Sequence, residues 1–509
     1  MSEATTATPT ADPQAARFAL MGFITSGLAV VLSMVRSKLV AVEVGPVGVG
    51  IVAEVTQLLT FVGVIATVAN SPALLKWISE SIRDRDFARL ERGVGTAIVL
   101  ALGLSGVATL GCVIAGPWFL PSGWDLSLPL AIALTGASIA FATVASCITT
   151  VHVGFSDLRA ITASSLLSAL ATTAILVALV LLWGLPGQFL AIALGAAASV
   201  VITALFLRRR TDSPVRLRLA WDREFARTAF TIGTTSLISG YVAQGLLSII
   251  RLLLEREGQG AAGAELNGNF QAAYAIATTY FAAVLQGIGQ YYFPRYAAAR
   301  DEAELTREVH AGADFVLRLT PALALLVIAF RELVIDVLYS GRFSLAAKML
   351  GFMLVSDLVK GVSWSYAGPL PMRGLVRAFL LSEAIGLILG VPVYYLAIHY
   401  LGPGAVGLGM LANQTLYLAA VIIIIRSVCG VRLASRHVVR LGVSLLLASG
   451  TVVLVDAFPH ARWGIAAAVL AYAYFTGAHR VILDWLGPRL RKVKAVLTGS
   501  RGAPPASPG

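Results

Sequence analysis

The strongest constraint on this chain is a succession of long apolar stretches that recurs over most of its 509 residues. A stretch of about 20 apolar residues crosses the hydrocarbon core of a bilayer as an α-helix. The composition agrees, since 57% of the residues are apolar and 13% are charged, whereas soluble domains average about 25% charged residues. The sequence therefore excludes a water-soluble fold or a disordered chain, and it predicts an all-α polytopic membrane protein.

Fourteen such stretches can be delimited, which predicts fourteen transmembrane helices. They lie at 18–42, 49–75, 93–117, 128–153, 161–183, 186–207, 228–254, 268–293, 310–332, 346–370, 376–400, 405–427, 438–456 and 463–483. Turn-forming sequences separate several of them, among them Gly45-Pro46, the segment 184–187 and Gly402-Pro403-Gly404.

The distribution of positive charge predicts the orientation. If both termini lie on the same side, 29 of the 39 Lys and Arg residues fall on that side, six on the other and four within spans. Because cytoplasmic loops carry the excess of Lys and Arg, both termini are predicted to be cytoplasmic. The net charge of +12 is accounted for in this way, so no nucleic-acid partner is expected.

The sequence also indicates an internal duplication. The longest loop, 208–227, is a cytoplasmic linker that divides the first twelve spans into bundles at 16–207 and 228–430. Residues match between them at offsets of 214 to 218: Met34-Val35-Arg36 with Ile249-Ile250-Arg251, Gln57 with Gln271, and Arg159 with Arg377. The duplication therefore predicts two parallel six-helix bundles around a central cavity. An added helix pair at 431–486 lies outside this repeat, as do a disordered tail at 1–15 and a basic cytoplasmic tail at 487–509.

Charged side chains within the spans predict the functional site, because a charge at the bilayer centre is retained where it faces protein or water. Arg36 and Arg251 occupy matching positions on the first helix of each bundle. Two guanidinium groups facing one cavity would clamp a phosphate or pyrophosphate. The alternative is that each extends to the lipid headgroups. Lys38 projects from nearly the opposite side of the helix from Arg36, so both cannot point straight into one cavity.

Further candidates fall into three groups. Those for substrate binding, besides Arg36 and Arg251, are Lys38, Gln57, Gln271 and Lys360, and those for coupling or gating are Glu54, Asp357 and Glu383. Asp357 and Lys360, spaced i,i+3 on one helix face, form either an internal ion pair or a substrate or coupling-ion site. Arg159 and Arg377 either anchor the topology or attract anionic lipid headgroups to a cytoplasmic entrance.

No motif predicts catalysis. The sequence has no GxxxxGK[ST] nucleotide loop, HExxH metal site or GxSxG nucleophile motif, and the loops are short. Neither an enzyme activity nor a metal or organic cofactor is expected, while coupling to H⁺ or Na⁺ stays open.

The order and spacing of several motifs resemble the Wzx-type flippases of the multidrug/oligosaccharidyl-lipid/polysaccharide exporter superfamily. The motifs are Lys38-Leu39-Val40-Ala41 with the segment 45–50 and Gln57-Leu58, Asn269-Phe270-Gln271 with Tyr292-Phe293-Pro294-Arg295, and the segment 355–360 followed by Arg377 and Glu383. The resemblance covers about residues 15–430 and is nearest to the branch that includes lipid III flippases of enterobacterial common antigen.

The resemblance implies a twelve-helix core with a cationic cavity. It also implies transfer of a polyprenyl-pyrophosphate-linked oligosaccharide across the bacterial inner membrane, by alternating access, for cell-surface polysaccharide synthesis. Polysaccharide polymerase or export proteins and anionic membrane lipids are the expected partners. The added helix pair departs from the usual twelve spans, although a related group of peptidoglycan-precursor flippases has fourteen.

Three other functions remain open. An ion-coupled drug antiporter of the same superfamily would need an excess of buried carboxylates in its cavity. A membrane-embedded glycan-assembly enzyme would depend on a catalytic carboxylate. A non-transporting scaffold of envelope assembly would be insensitive to changes at Arg36 and Arg251.

Overall fold

The computed structural model describes residues 31–119, 127–155, 157–209, 215–458 and 460–465, together with Leu28, Ala467 and Ala468. The predicted tails at 1–15 and 487–509 and most of the fourteenth span lie outside these ranges. Helices and no strands make up the regular structure of the described ranges. This confirms the predicted all-α polytopic membrane fold.

Six α-helices are described in the N-terminal half. They are α1 (31–43), α2 (Gly45–Gly63), α3 (Pro72–Arg83), α4 (Phe87–Phe119), α5 (Leu128–Gly154) and α6 (Leu158–Arg208), with a 3₁₀ segment at Val64–Asn70 between α2 and α3. Gly45 has a φ of +70° and precedes a proline at the start of α2, a combination that ends one helix and begins the next. This places the turn between α1 and α2 at the predicted breaker.

The C-terminal half and the first added helix follow residues 215–222. The helices are α7 (Arg223–Gly258), α8 (Gly260–Tyr291), α9 (Phe293–Ala298), α10 (Glu302–Ala329), α11 (Arg331–Leu338), α12 (Ser344–Ala367), α13 (Pro369–Met372), α14 (Val376–Leu401), α15 (Val406–Cys429) and α16 (Ser435–Ala457). The Asp222 carboxylate accepts hydrogen bonds from the amides of Glu224 and Phe225 and so caps α7.

Eight segments in the described part of the chain are long and apolar enough to cross a membrane, so the count of fourteen spans stays a prediction. The two predicted spans at 161–183 and 186–207 form one helical segment, α6, which reverses direction at Gly184. That residue has a φ of +57° and a non-helical ψ of −128°. Beyond the reversal, a Cβ on Gly195 would lie 2.8 Å from Thr172, so the two arms pack side by side.

The two halves meet chiefly through α2, which packs against both α7 and α8. The helix α16 packs against α10 and α12 of the C-terminal half. Three ion pairs help to attach it: Asp314 of α10 pairs with Arg436 and with Arg440, and the buried Arg331 of α11 pairs with Asp456. The first of the two added helices therefore packs on the C-terminal half.

Candidate functional site

A cavity of about 760 Å³ lies between the two halves, within the range of about 300–1,000 Å³ that is usual for ligand sites. Its wall is formed by α1, α2, α5 and α6 from the N-terminal half and by α7 and α8 from the C-terminal half. Many of the lining side chains are hydroxyls or amides. Among its described lining residues, the charged ones are Arg36 and Arg251. This space, called the polar cavity below, is therefore positively charged.

Arg251 is held by its helix at the boundary between the halves, with 5% of its surface exposed. Its Nη2 donates a hydrogen bond to Oε1 of Gln271 on α8, and its guanidinium carbon lies 5.3 Å from the Phe270 ring centroid. Nε and Nη1 are buried, and neither has a hydrogen-bond partner in the described part of the chain. A buried guanidinium with two unpaired nitrogens can donate charge-assisted hydrogen bonds to an anion that reaches it.

Arg36 projects from α1 into the same cavity and is half-buried. Gln57 and Gln271, the other pair matched by the repeat, also line it. The Nε2 of Gln57 donates hydrogen bonds to Oε1 of Gln244 and to Oγ of Ser248 on α7, each at 3.1 Å. The structure thus brings together four of the residues that the sequence singled out for substrate binding.

Lys38 and Lys360, also predicted to bind substrate, lie outside the lining of the polar cavity. The Nζ of Lys38 donates a hydrogen bond of 2.6 Å to the backbone oxygen of Asp336 on α11, which agrees with the expectation that it points away from Arg36. Lys360 lies 5.4 Å from the ring centroid of Phe281. Both cations are therefore engaged with other parts of the C-terminal half.

The candidates for coupling and for the entrance occupy separate places. Asp357 is buried in α12, while Glu383 on α14 accepts a hydrogen bond of 2.6 Å from the Tyr417 hydroxyl. Arg159 and Arg377 are exposed one residue after the start of α6 and of α14. None of these four lines the polar cavity.

Glu54 lies beside Arg251, together with two residues that sequence reasoning missed, Glu255 and Asn267. Glu54 Oε1 accepts a hydrogen bond of 2.5 Å from Asn267 Nδ2, which also donates to the backbone oxygen of Arg251 at 3.1 Å. The Glu255 side chain lies next to that of Glu54. Glu255 follows Arg251 by four residues, so both lie on one helix face. This spacing could have identified Glu255, but the residue falls just beyond the predicted span at 228–254.

A second cavity of about 640 Å³ lies between α2 and α4 on one side and α7 and α14 on the other. Apolar side chains form most of its wall, and the space is called the apolar cavity below. Its charged lining residues among those described are Glu54, Arg251 and Glu255. Gln57 and Arg251 line both cavities, so these two side chains lie between the two spaces.

No family model matches this chain. Two curated relatives are similar to it, the lipid III flippases of Escherichia coli (strain K12) and Shigella flexneri. Each is 25% identical over 408 residues, which is 79% of this chain and 94% of the relative. This similarity confirms the resemblance to Wzx-type flippases.

Solved transporter structures share the fold. An inward-facing multidrug resistance MATE family transporter of the MOP superfamily aligns with a TM-score of 0.61 and 14% identity, over 82% of this chain and 95% of that one. A MATE transporter of Vibrio cholerae aligns with a TM-score of 0.57 and 14% identity, over 81% of this chain and 96% of the transporter. A MOP superfamily transporter from Pyrococcus furiosus aligns with a TM-score of 0.53 and 15% identity, over 84% of this chain and 95% of that one. That transporter is described as having a binding pocket of reverse polarity. The chain is thus a multi-pass membrane protein with a MATE-type fold.

Proposed function

We propose that this protein is a flippase that moves a polyprenyl-pyrophosphate-linked oligosaccharide across the bacterial inner membrane, for cell-surface polysaccharide synthesis. One observation carries the proposal: Arg251, buried between the two halves with its Nε and Nη1 unpaired in the described part of the chain, and Arg36 line the same cavity. The similarity to proteins named lipid III flippase supports the same class of substrate.

The chemistry of the substrate matches this arrangement. A pyrophosphate carries several charged oxygens, and guanidinium groups bind such oxygens with paired, charge-assisted hydrogen bonds. The hydroxyl and amide groups of the polar cavity, including those of Gln57 and Gln188, suit the hydroxyls of a glycan. Arg36 and Arg251 would hold the pyrophosphate while these neutral groups bind the sugars.

Transport would proceed by alternating access. The substrate headgroup enters the polar cavity from the cytoplasmic side, and the two halves then rock so that the cavity opens to the other side. Because the sequence has no nucleotide-binding loop, an H⁺ or Na⁺ gradient is the proposed energy source. Glu54 and Glu255, next to Arg251, are placed to exchange such an ion, while Asp357 and Glu383 stay candidates for gating.

The charge of the polar cavity favours this function over export of cationic drugs. A cationic substrate needs carboxylates in its site, whereas the charged residues found in the described lining of this cavity are two arginines. Glu54, which lies next to Arg251 but outside the lining of this cavity, already accepts a hydrogen bond from Asn267. A drug antiporter therefore fits the site less well than a transporter of anionic lipids.

The proposal can be tested in cells that depend on this protein for surface polysaccharide. Variants Arg36→Gln, Arg251→Gln and the double change are compared at equal expression, with Arg256→Gln as control, since Arg256 lies on the same helix but is exposed. We expect lipid-linked oligosaccharide to accumulate and surface polysaccharide to fall in the first three strains. Normal surface polysaccharide in all strains would contradict the proposed role of the two arginines.

A further inference from the structure

The apolar cavity has a charged end and an apolar end. It follows α7 from Tyr241 to Glu255, a distance of about 21 Å at 1.5 Å per residue. Glu54, Arg251 and Glu255 line one end, whereas Phe61 and Tyr241 face each other at the other, with ring centroids 5.4 Å apart. A ligand that fills this space must therefore have an ionic or polar end and an apolar body.

The residues shared with the polar cavity give the position of that ionic end. Arg251 and Gln57 line both spaces, so an anion bound by Arg251 would have the polar cavity on one side and the apolar cavity on the other. A lipid pyrophosphate has the same arrangement, because the pyrophosphate joins a glycan to a hydrocarbon chain.

We propose that the apolar cavity binds the pyrophosphate-proximal part of the polyprenyl chain while the glycan occupies the polar cavity. The inference rests on the proposed function and adds a binding site for the tail within the protein. Burial of hydrocarbon against Leu58, Phe61 and Leu387 would strengthen binding in proportion to the apolar area covered. The site would thereby select prenyl pyrophosphates over soluble pyrophosphates.

Two glycines keep the apolar cavity open. A Cβ on Gly245 of α7 would meet Phe61 at 3.7 Å and Leu387 at 4.0 Å, which are ordinary contacts, and a Cβ on Gly111 of α4 would meet nothing within 4 Å. A leucine at either position would place its side chain in the cavity without displacing backbone. Gly106 of α4 also has open space around its Cβ position but lines neither cavity, so Gly106→Leu is a matched control.

The test uses full-length protein in lipid nanodiscs and two probes. The first is farnesyl pyrophosphate carrying a photoactivatable diazirine at its distal end, with cross-linked residues identified by mass spectrometry. The second is inorganic pyrophosphate, which reports on the anion site alone. Wild type, Gly245→Leu, Gly111→Leu and Gly106→Leu are compared.

We expect cross-links in wild type at the apolar end, around Phe61 of α2 and Tyr241 of α7. Because the leucines displace several buried methylene groups of the probe, its affinity should fall at least about tenfold in Gly245→Leu and Gly111→Leu. Its affinity for Gly106→Leu should match wild type. Binding of inorganic pyrophosphate should be the same in all four proteins.

Two results would overturn the inference but leave the proposed function intact. One is cross-linking confined to lipid-facing residues and insensitive to both leucines. The other is a membrane phospholipid whose acyl chain stays in the cavity and is not displaced by farnesyl pyrophosphate. Failure of wild type to bind either pyrophosphate would instead contradict the proposed function itself.

Discussion

Gly50 of α2 and Gly268 of α8 lie where the backbones of the two halves cross. A Cβ on Gly50 would be 1.7 Å from the carbonyl oxygen of Ala264, and one on Gly268 would be 1.8 Å from that of Pro46. Gly268 lies 218 residues after Gly50, and Ala264 lies 218 residues after Pro46, so the two contacts are equivalent. The same shift relates Arg159 to Arg377. The crossing is therefore symmetric between α2 and α8, and any residue larger than glycine would separate the two helices.

Substitution of either glycine is predicted to open this crossing. In Gly50→Leu or Gly268→Leu the side chain must displace backbone, so α2 and α8 move apart and transport falls. Amide hydrogen exchange within 45–50 and 260–268 should become faster than in wild type. Gly442→Leu on α16, where a Cβ meets nothing within 4 Å, should leave both measurements unchanged. Unaltered exchange in the two α2–α8 variants would show that the crossing is looser than the structure indicates.

Gln271 is predicted to orient Arg251 for anion binding. Its Oε1 accepts a hydrogen bond from Nη2 of Arg251, and a hydrogen bond to a charged group contributes about 1.5–3 kcal/mol. We therefore expect Gln271→Leu to weaken pyrophosphate binding by about ten- to a hundredfold, as measured by calorimetry. The change should have little additional effect in an Arg251→Gln background, because coupled residues are not additive. Additive losses would indicate that Gln271 acts independently of Arg251.

Glu54 is predicted to assist release of the anion. Its carboxylate lies beside Arg251 and competes with a bound pyrophosphate for the positive charge. Glu54→Gln removes that competition, so pyrophosphate affinity should rise while the transport rate falls. The exposed Glu257 near the end of α7, the helix that carries Arg251, provides the control, and Glu257→Gln should change neither quantity. Weaker binding in Glu54→Gln would assign Glu54 a structural role instead.

The pairing of Arg331 with Asp456 is predicted to stabilise the attachment of α16. Arg331 is 1% exposed and Asp456 is about half exposed, so Asp456→Ala leaves a buried charge without its carboxylate. We expect the free energy of unfolding to fall by about 1–3 kcal/mol, which is less than the cost of breaking a fully buried pair because Asp456 is partly in solvent. The measurement is the unfolding temperature in detergent, which should be lower than in wild type. Glu332→Ala removes an exposed ion pair with Arg462 and should have a much smaller effect. Equal effects would argue against a special role for the buried arginine.

The sequence predicted the fold class and several residues of the site because both follow from local rules. Apolar length marks helices that cross a bilayer, and a charge inside such a helix marks a cavity. The repeat relation then paired Arg36 with Arg251 and Gln57 with Gln271, and all four line the polar cavity. These inferences needed only spacing along one helix and a match between two halves.

Tertiary contacts could not be inferred in this way. The partner of Lys38 is a backbone oxygen almost 300 residues away, and the pairing of Glu54 with Asn267 joins helices from different halves. The apolar cavity depends on empty space next to Gly111 and Gly245, and spacing gives no measure of empty space. The sequence therefore indicated where charges would gather but not how an apolar site would lie beside them.

Transport by purified protein tests the central claim most directly. The protein is reconstituted into liposomes that contain a fluorescent polyprenyl-pyrophosphate-linked oligosaccharide, and movement between leaflets is followed by an impermeant quencher. Wild type and Arg256→Gln should move the lipid faster than empty liposomes, whereas the Arg36→Gln, Arg251→Gln double variant should not. Movement at the wild-type rate in the double variant, or none above background in wild type, would contradict the account.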